Sequence, residues 1–189
     1  MATREFDYKS IVDNKSNWTN VIQEILEDYD FIGLTERFDE SLVVIRFLLG
    51  LDAGDILYVP AKLSGGYDSR PQCNKIPDKI KWPELKEYYN SPEWKRNHAL
   101  TDEIYAAVNR SLDLTIENIG REKFDKALKE HKYLLELGNK ECGPKAIFPC
   151  SRDGVYQIKE SKKSCYYKDH GCGYACLDEL YEREKGRTY

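Results

Sequence analysis

Apolar residues recur at helical spacing from Ser16 to about Asp28. Val21, Ile22, Ile25, Leu26 and Tyr29 would share one face. The run Phe31–Thr35 is short and apolar, broken only by Gly33, and reads as a buried strand. A helix from Glu40 to Leu49 follows. Asp39 is its N-cap, Glu40 sits where a negative charge complements the helix dipole, and Leu42, Val43, Ile45, Leu48 and Leu49 are apolar. Gly50 stands where a left-handed cap belongs. Asp55–Val59 reads as a second strand, ended by Pro60. Strand, helix and strand with glycine stops predict a right-handed crossover between neighbouring parallel strands. The expected fold is therefore α/β: a partial nucleotide-binding-type parallel sheet, a helix-rich C-terminal part and a cysteine-rich tail. Ligands of open α/β sheets sit at the carboxyl ends of strands. That rule singles out Glu36 and Arg37 after the first strand and Lys62 after the second as candidates for the edge of a site.

Residues 61–80 hold Gly65, Gly66, Pro71 and Pro77 with little periodicity, which predicts a loop. Trp82 to Asn90 reads as a short helix. Ser91 followed by Pro92 is an N-cap with proline at the first helical position. Thr101 is the expected cap of a long helix with Ile104, Tyr105, Val108, Leu112, Thr115, Ile116 and Ile119 on its core face, stopped by Gly120. A further helix runs from Glu122 to Leu137, with Phe124, Leu128, Leu134 and Leu135 apolar and Gly138 as its stop. Two long helices joined at a glycine predict an αα-hairpin. Leu177 to Glu184 reads as a short closing helix. The boundaries expected are 1–138 for the α/β part and 139–189 for the tail, packed on it or appended to it.

Composition changes the picture in one respect. A chain of 189 residues with net charge -4 has no basic excess, so it is not read as a nucleic-acid binder. No apolar run is long enough to span a bilayer, and the first residues carry no signal-peptide pattern. The cysteines nevertheless point to an oxidising compartment. Five of six fall in the last quarter, making Cys142, Cys150, Cys165, Cys172 and Cys176 the disulfide candidates, with Cys73 apart from them. Three Asn-x-Ser/Thr triplets, at Asn14, Asn17 and Asn109, agree in direction as glycosylation candidates. A secretory composition behind a cytosolic-looking start suggests that a longer parent precedes Met1.

Chemical motifs are sparse. Phosphate-binding loops, dinucleotide fingerprints and nucleophile elbows are missing. His98, His131 and His170 are far apart, and the first two read as surface histidines. Cys165, His170, Cys172 and Cys176 form an alternative zinc set, without the Cys-x2-Cys knuckle that strengthens such an assignment. Lys159, Lys162, Lys163 and Lys168 form a basic run that could meet an anionic glycan or phosphate, although such runs are usually solvated faces.

The run Asp30-Phe-Ile-Gly-Leu-Thr-Glu-Arg-Phe-Asp-Glu-Ser-Leu-Val-Val-Ile, then Leu51-Asp-Ala-Gly-Asp-Ile-Leu-Tyr, resembles the Golgi carbohydrate sulfotransferases. It is most similar to the galactose-3-O-sulfotransferase (galactosylceramide sulfotransferase) group, and more distantly to the heparan sulfate 2-O-sulfotransferases. Leu100-Thr-Asp-Glu-Ile-Tyr-Ala-Ala-Val-Asn-Arg-Ser resembles a helix of the same group. The resemblance covers roughly residues 15–137 and is most specific from Glu36 to Leu42; the cysteine tail has no counterpart. It implies transfer of sulfuryl from 3′-phosphoadenosine-5′-phosphosulfate (PAPS) to a sugar hydroxyl of a glycolipid or glycan in the Golgi lumen. The family's phosphosulfate loop, 3′-phosphate segment and general base lie upstream of the matched region and cannot be placed here. The expectation is therefore a C-terminal half of such an enzyme, binding no PAPS by itself. The alternative is a non-catalytic interaction or glycan-binding module derived from the same fold.

Overall fold

The computed structural model describes residues 17–60, 65–68, 73–76, 82–146, 148–157 and 173–187. Six α-helices are present among them: α1 Trp18–Asp28, α2 Phe38–Leu49, α3 Pro83–Asn90, α4 Pro92–Ile119, α5 Arg121–Glu141 and α6 Tyr174–Glu184. The two strands, β1 Tyr67–Asp68 and β2 Asn74–Lys75, pair antiparallel. The parallel α/β sheet expected from the sequence is therefore overturned, because the described residues are mostly helical and their pairings, the β1–β2 ladder and an isolated Cys150–Tyr156 bridge, both run antiparallel.

Both presumed strands resolve differently. Phe31–Leu34 is extended or irregular and pairs with nothing in a ladder; Thr35–Arg37 then closes a 3₁₀ turn that leads into α2. Gly54–Ile56 is likewise a 3₁₀ turn, followed by extended Leu57. A short apolar run satisfies a strand pattern and a buried connector equally well, and only a hydrogen-bonded neighbour decides between them. The strand pairing lies instead in the stretch read as a loop, where Gly65 N–H to Ile76 O (2.9 Å) and Ile76 N–H to Gly66 O (2.8 Å) extend the ladder.

The chain divides into two compact units, Met1–Ser41 with Ile80–Ile119, and Leu42–Lys79 with Gly120–Tyr189. In the first unit α1 and α3 both pack on α4. Val21 is buried, and Ile22, Ile25 and Leu26 are half-buried on one face of α1, as its periodicity predicts, whereas Tyr29, expected on the same face, lies past the helix end and is exposed. The helix expected to start at Thr101 starts at Pro92 instead. The Ser91 hydroxyl accepts the Trp94 N–H at 3.1 Å, so the stronger capping signal wins and Thr101 lies within the helix. Leu100, Val108, Leu112 and Ile116 form its buried stripe.

The second unit has a core of Ala53, Val59, Leu134, Cys142, Leu177 and Leu180, with Leu57, Leu137, Phe148 and Tyr181 packed on it. On α5 the buried residues Phe124, Ala127, His131, Leu134, Leu135 and Gly138 fall on one face at helical spacing. His131, read from the sequence as a surface residue, is wholly buried (0%). Gly138 does not stop the helix, which continues to Glu141. Its role is close approach: a Cβ there would stand 2.7 Å from Leu177 Cδ2 on α6. Gly54 serves the same helix, since a Cβ would clash with the Tyr181 ring. Gly50 and Gly120 do end helices, with φ of 66° and 99°.

Two disulfides fasten this unit. Cys142–Cys176 ties the end of α5 to α6, and Cys73–Cys150 ties the residue before β2 to the segment after α5. Disulfide stapling is thus present, but Cys73, left outside the tail cluster by the sequence reading, is one of its partners. Cys165 and Cys172 lie outside the described residues.

Candidate functional site

The segment from Leu34 to Ser41 builds a compact polar assembly with α4 in the first unit. Leu34 and Ser41 close its base: the Ser41 hydroxyl accepts the Leu34 N–H at 2.9 Å and donates back to the Leu34 carbonyl at 3.3 Å. This exchange satisfies the extended backbone where no strand partner exists. Gly33 packs close beside it: a Cβ there would stand 3.1 Å from Ser41 Cβ, tighter than ordinary contact.

Arg37 is the centre of the assembly. Its Nε donates to Glu40 Oε2 and its Nη2 to Glu40 Oε1 at 3.2 Å, a bidentate fork. Its Nη1 donates to Asn109 Oδ1 at 2.9 Å and to Asp113 Oδ1 at 2.7 Å, side chains one turn apart on α4. The bond to Glu40 leads in holding the guanidinium more firmly protonated than an ordinary arginine, burial opposes it, and the bond to Asp113 adds to it. One cation thus faces two carboxylates, which leaves the assembly net negative. It is unsuited to hold the phosphates or the sulfate of PAPS, which call for donors with positive charge to spare. Arg37 positions the 3₁₀ turn on α4.

Glu36 stands apart from this network. It is exposed, and its Oε2 accepts the Thr35 hydroxyl at 3.1 Å. The sequence placed Glu36 and Lys62 at neighbouring strand ends. Without those strands that geometric basis is gone, and Lys62 lies outside the described residues. Arg37→Ala should lower stability by about 1–2 kcal/mol, since each hydrogen bond to a charged group contributes roughly 1.5–3 kcal/mol before the discount for partial exposure. Glu36→Gln should change it by less than about 0.5 kcal/mol. Urea denaturation of the two variants checks both; equal losses would contradict the division of roles.

The same unit carries an aromatic cluster that the sequence reading missed. Trp94 makes edge contacts with Tyr89 (ring centroids 4.5 Å, 83°) and Tyr88 (5.3 Å, 71°), while His98 stacks on it at 3.5 Å and 18°. His98 Nδ1 lies 3.1 Å from the Trp94 carbonyl oxygen, which calls for the proton on Nδ1. Tyr88 and Tyr89 remain 44% and 36% exposed, and no residue of α3 is buried. A signal was present in the sequence: Trp82, Tyr88, Tyr89 and Trp94 stand close together around the Ser91-Pro92 break.

In the second unit, buried Glu184 accepts from Arg183 Nε at 3.2 Å and pairs with Arg187 Nη1 at 2.7 Å, while Arg183 Nη2 reaches Glu141 at 2.9 Å. These contacts anchor α6 and leave the Glu184 carboxylate engaged. Among the described residues no cluster of three or more His, Cys, Asp or Glu could hold a metal ion. Cys176 of the zinc alternative is bonded to Cys142, and its other three members lie outside the described residues. Asn17 precedes α1 and is exposed, Asn109 is half-buried under Arg37, and Asn14 lies outside the described residues. The basic run from Lys159 to Lys168 lies outside them as well. No described helix is long and apolar enough to cross a membrane. The disulfides are compatible with a secreted or lumenal protein.

No protein-family model matches the chain, and no curated protein or solved structure matches it either.

Proposed function

We propose that this chain serves carbohydrate sulfation in the Golgi lumen, contributing to the binding of a glycolipid or glycan acceptor rather than to the binding of PAPS. The observation that carries the reading is the run from Asp30 to Tyr58, whose resemblance to galactose-3-O-sulfotransferases is densest from Glu36 to Leu42. The fold lends this reading no parallel sheet, so the proposal rests on those residues and on the surfaces they accompany. The engagement of Arg37 by Glu40 and Asp113 agrees with a role away from the phosphosulfate. The aromatic cluster agrees with a sugar partner: the C–H face of a pyranose is weakly positive, and the face of an indole or phenol ring is negative. Sulfuryl transfer itself would be in-line displacement, governed by positioning and charge stabilisation.

A second reading, a glycan-binding module without transfer, is favoured by the same cluster, which needs no cofactor to act. Saturation-transfer NMR of the isolated chain tests what the two readings share. A galactose-terminated oligosaccharide should receive magnetisation, and Trp94→Ala should abolish the effect. No transfer to the sugar would overturn both readings. In calorimetry the desulfated 3′,5′-bisphosphate product of PAPS should give no binding heat; micromolar binding would contradict the assignment of PAPS elsewhere.

A further inference from the structure

We propose that Asn17 is an N-glycosylated residue of this protein and that Asn109, which carries an equally good triplet, is not. The inference rests on the lumenal reading of the disulfides and is independent of sugar binding by the aromatic cluster.

The triplets Asn17-Trp18-Thr19 and Asn109-Arg110-Ser111 cannot be told apart by pattern. Their surroundings differ. A glycan is bulky and belongs on the surface. Asn17 and Thr19 are both exposed, while Trp18 between them turns inward and is buried. Asn17 occupies the N-cap position of α1, where an asparagine ordinarily accepts a backbone N–H of the first turn. It makes no such bond. Its Oδ1 instead faces Asn20 Nδ2 at 3.4 Å, a long contact between exposed groups. Modification at the amide nitrogen of this exposed side chain leaves the Oδ1 contact in place.

Asn109 lies deep within the 28-residue helix α4. It is half-buried, and its Oδ1 holds Arg37 at 2.9 Å beside Asp113. A branched sugar on that carboxamide would crowd the guanidinium that fixes the 3₁₀ turn before α2. The folded protein thus favours an unmodified Asn109.

The co-reactant is an oligosaccharide carried on a lipid pyrophosphate, supplied with its transferase by the secretory pathway. The Asn17 Nδ2 nitrogen bonds to the anomeric carbon of the sugar. The anomeric C–O bond breaks, the lipid pyrophosphate leaves with that electron pair, and one amide proton is released.

The test directs the full chain into the secretory pathway of a glycosylating host with a cleavable leader. Total cell and medium pools are collected, so retention in the cell does not hide the result. Glycosidase release in heavy-oxygen water marks each occupied asparagine as a labelled aspartate, read by peptide mass spectrometry. Label is expected at Asn17 in most molecules and in under a tenth of them at Asn109. Thr19→Ala should remove the Asn17 label while both described disulfides still form. An unlabelled Asn17 in disulfide-bonded protein would overturn the proposal, as would label at Asn109 equal to that at Asn17.

Discussion

Replacing Cys142 and Cys176 together by alanine should lower the stability of the protein by about 4 kcal/mol, within the 2–5 kcal/mol usual for native bridges. The bond closes a separation of 34 residues, so its loss frees a long loop of the unfolded chain. The loss is also local. Cys142 is wholly buried, and α6 rests on α5 through Leu177 against Gly138. Urea denaturation of the oxidised double variant, with limited proteolysis beside it, reads both effects. Cleavage should appear first in Tyr174–Glu184. A change below about 1 kcal/mol, with α6 still protected, would mean that core contacts alone hold this helix.

Leu134→Ala should cost about 2–5 kcal/mol, the range for a large-to-small change at a fully buried site. Leu134 is fully buried on the inner face of α5, within the cluster that includes Val59, Leu177 and Leu180. Truncation would leave a cavity that the disulfide at Cys142 prevents α6 from closing. Leu134→Met, which nearly conserves volume, should cost less than about 1.5 kcal/mol. Similar losses for the two substitutions would contradict close packing around Leu134.

The helices were legible where periodicity and caps agreed. The apolar face of α1, the Ser91-Pro92 start of α4, and the endings at Gly50 and Gly120 could all be read from residue types. The errors share a physical cause, which is that local pattern does not report on partners. Phe31–Thr35 and Asp55–Val59 carry strand-like residues, but no neighbouring strand completes their hydrogen bonds. On α2 the pattern named Val43 correctly, but it also took in Leu48 and Leu49, which are exposed, and left out Val44, which is wholly buried. Gly138 has the residue type of a stop, but its position facing Leu177 needs the missing side chain.

At the candidate site the importance of Glu36 and Arg37 rests, in the sequence, on a parallel sheet that is not found among the described residues. Arg37 is indeed central, as a tether between the 3₁₀ turn and α4, while Glu36 faces solvent. Asn109 and Asp113 could not be named as its partners from sequence, being 72 and 76 positions away. Cys73 was legible in principle, because five cysteines in the tail cannot all pair among themselves.

The claim on which the rest depends is that the segment from Phe31 to Val59 is a helical, turn-linked scaffold and not a βαβ unit. Nuclear Overhauser contacts between backbone protons of the isotope-labelled protein test it most directly. Sequential helical contacts should run without a break through Thr101 and through Gly138. Cross-strand contacts should join Tyr67 with Lys75 and Asp68 with Asn74, in antiparallel register. Parallel cross-strand contacts between 31–35 and 55–59 would contradict the account and restore Glu36 to the end of a strand.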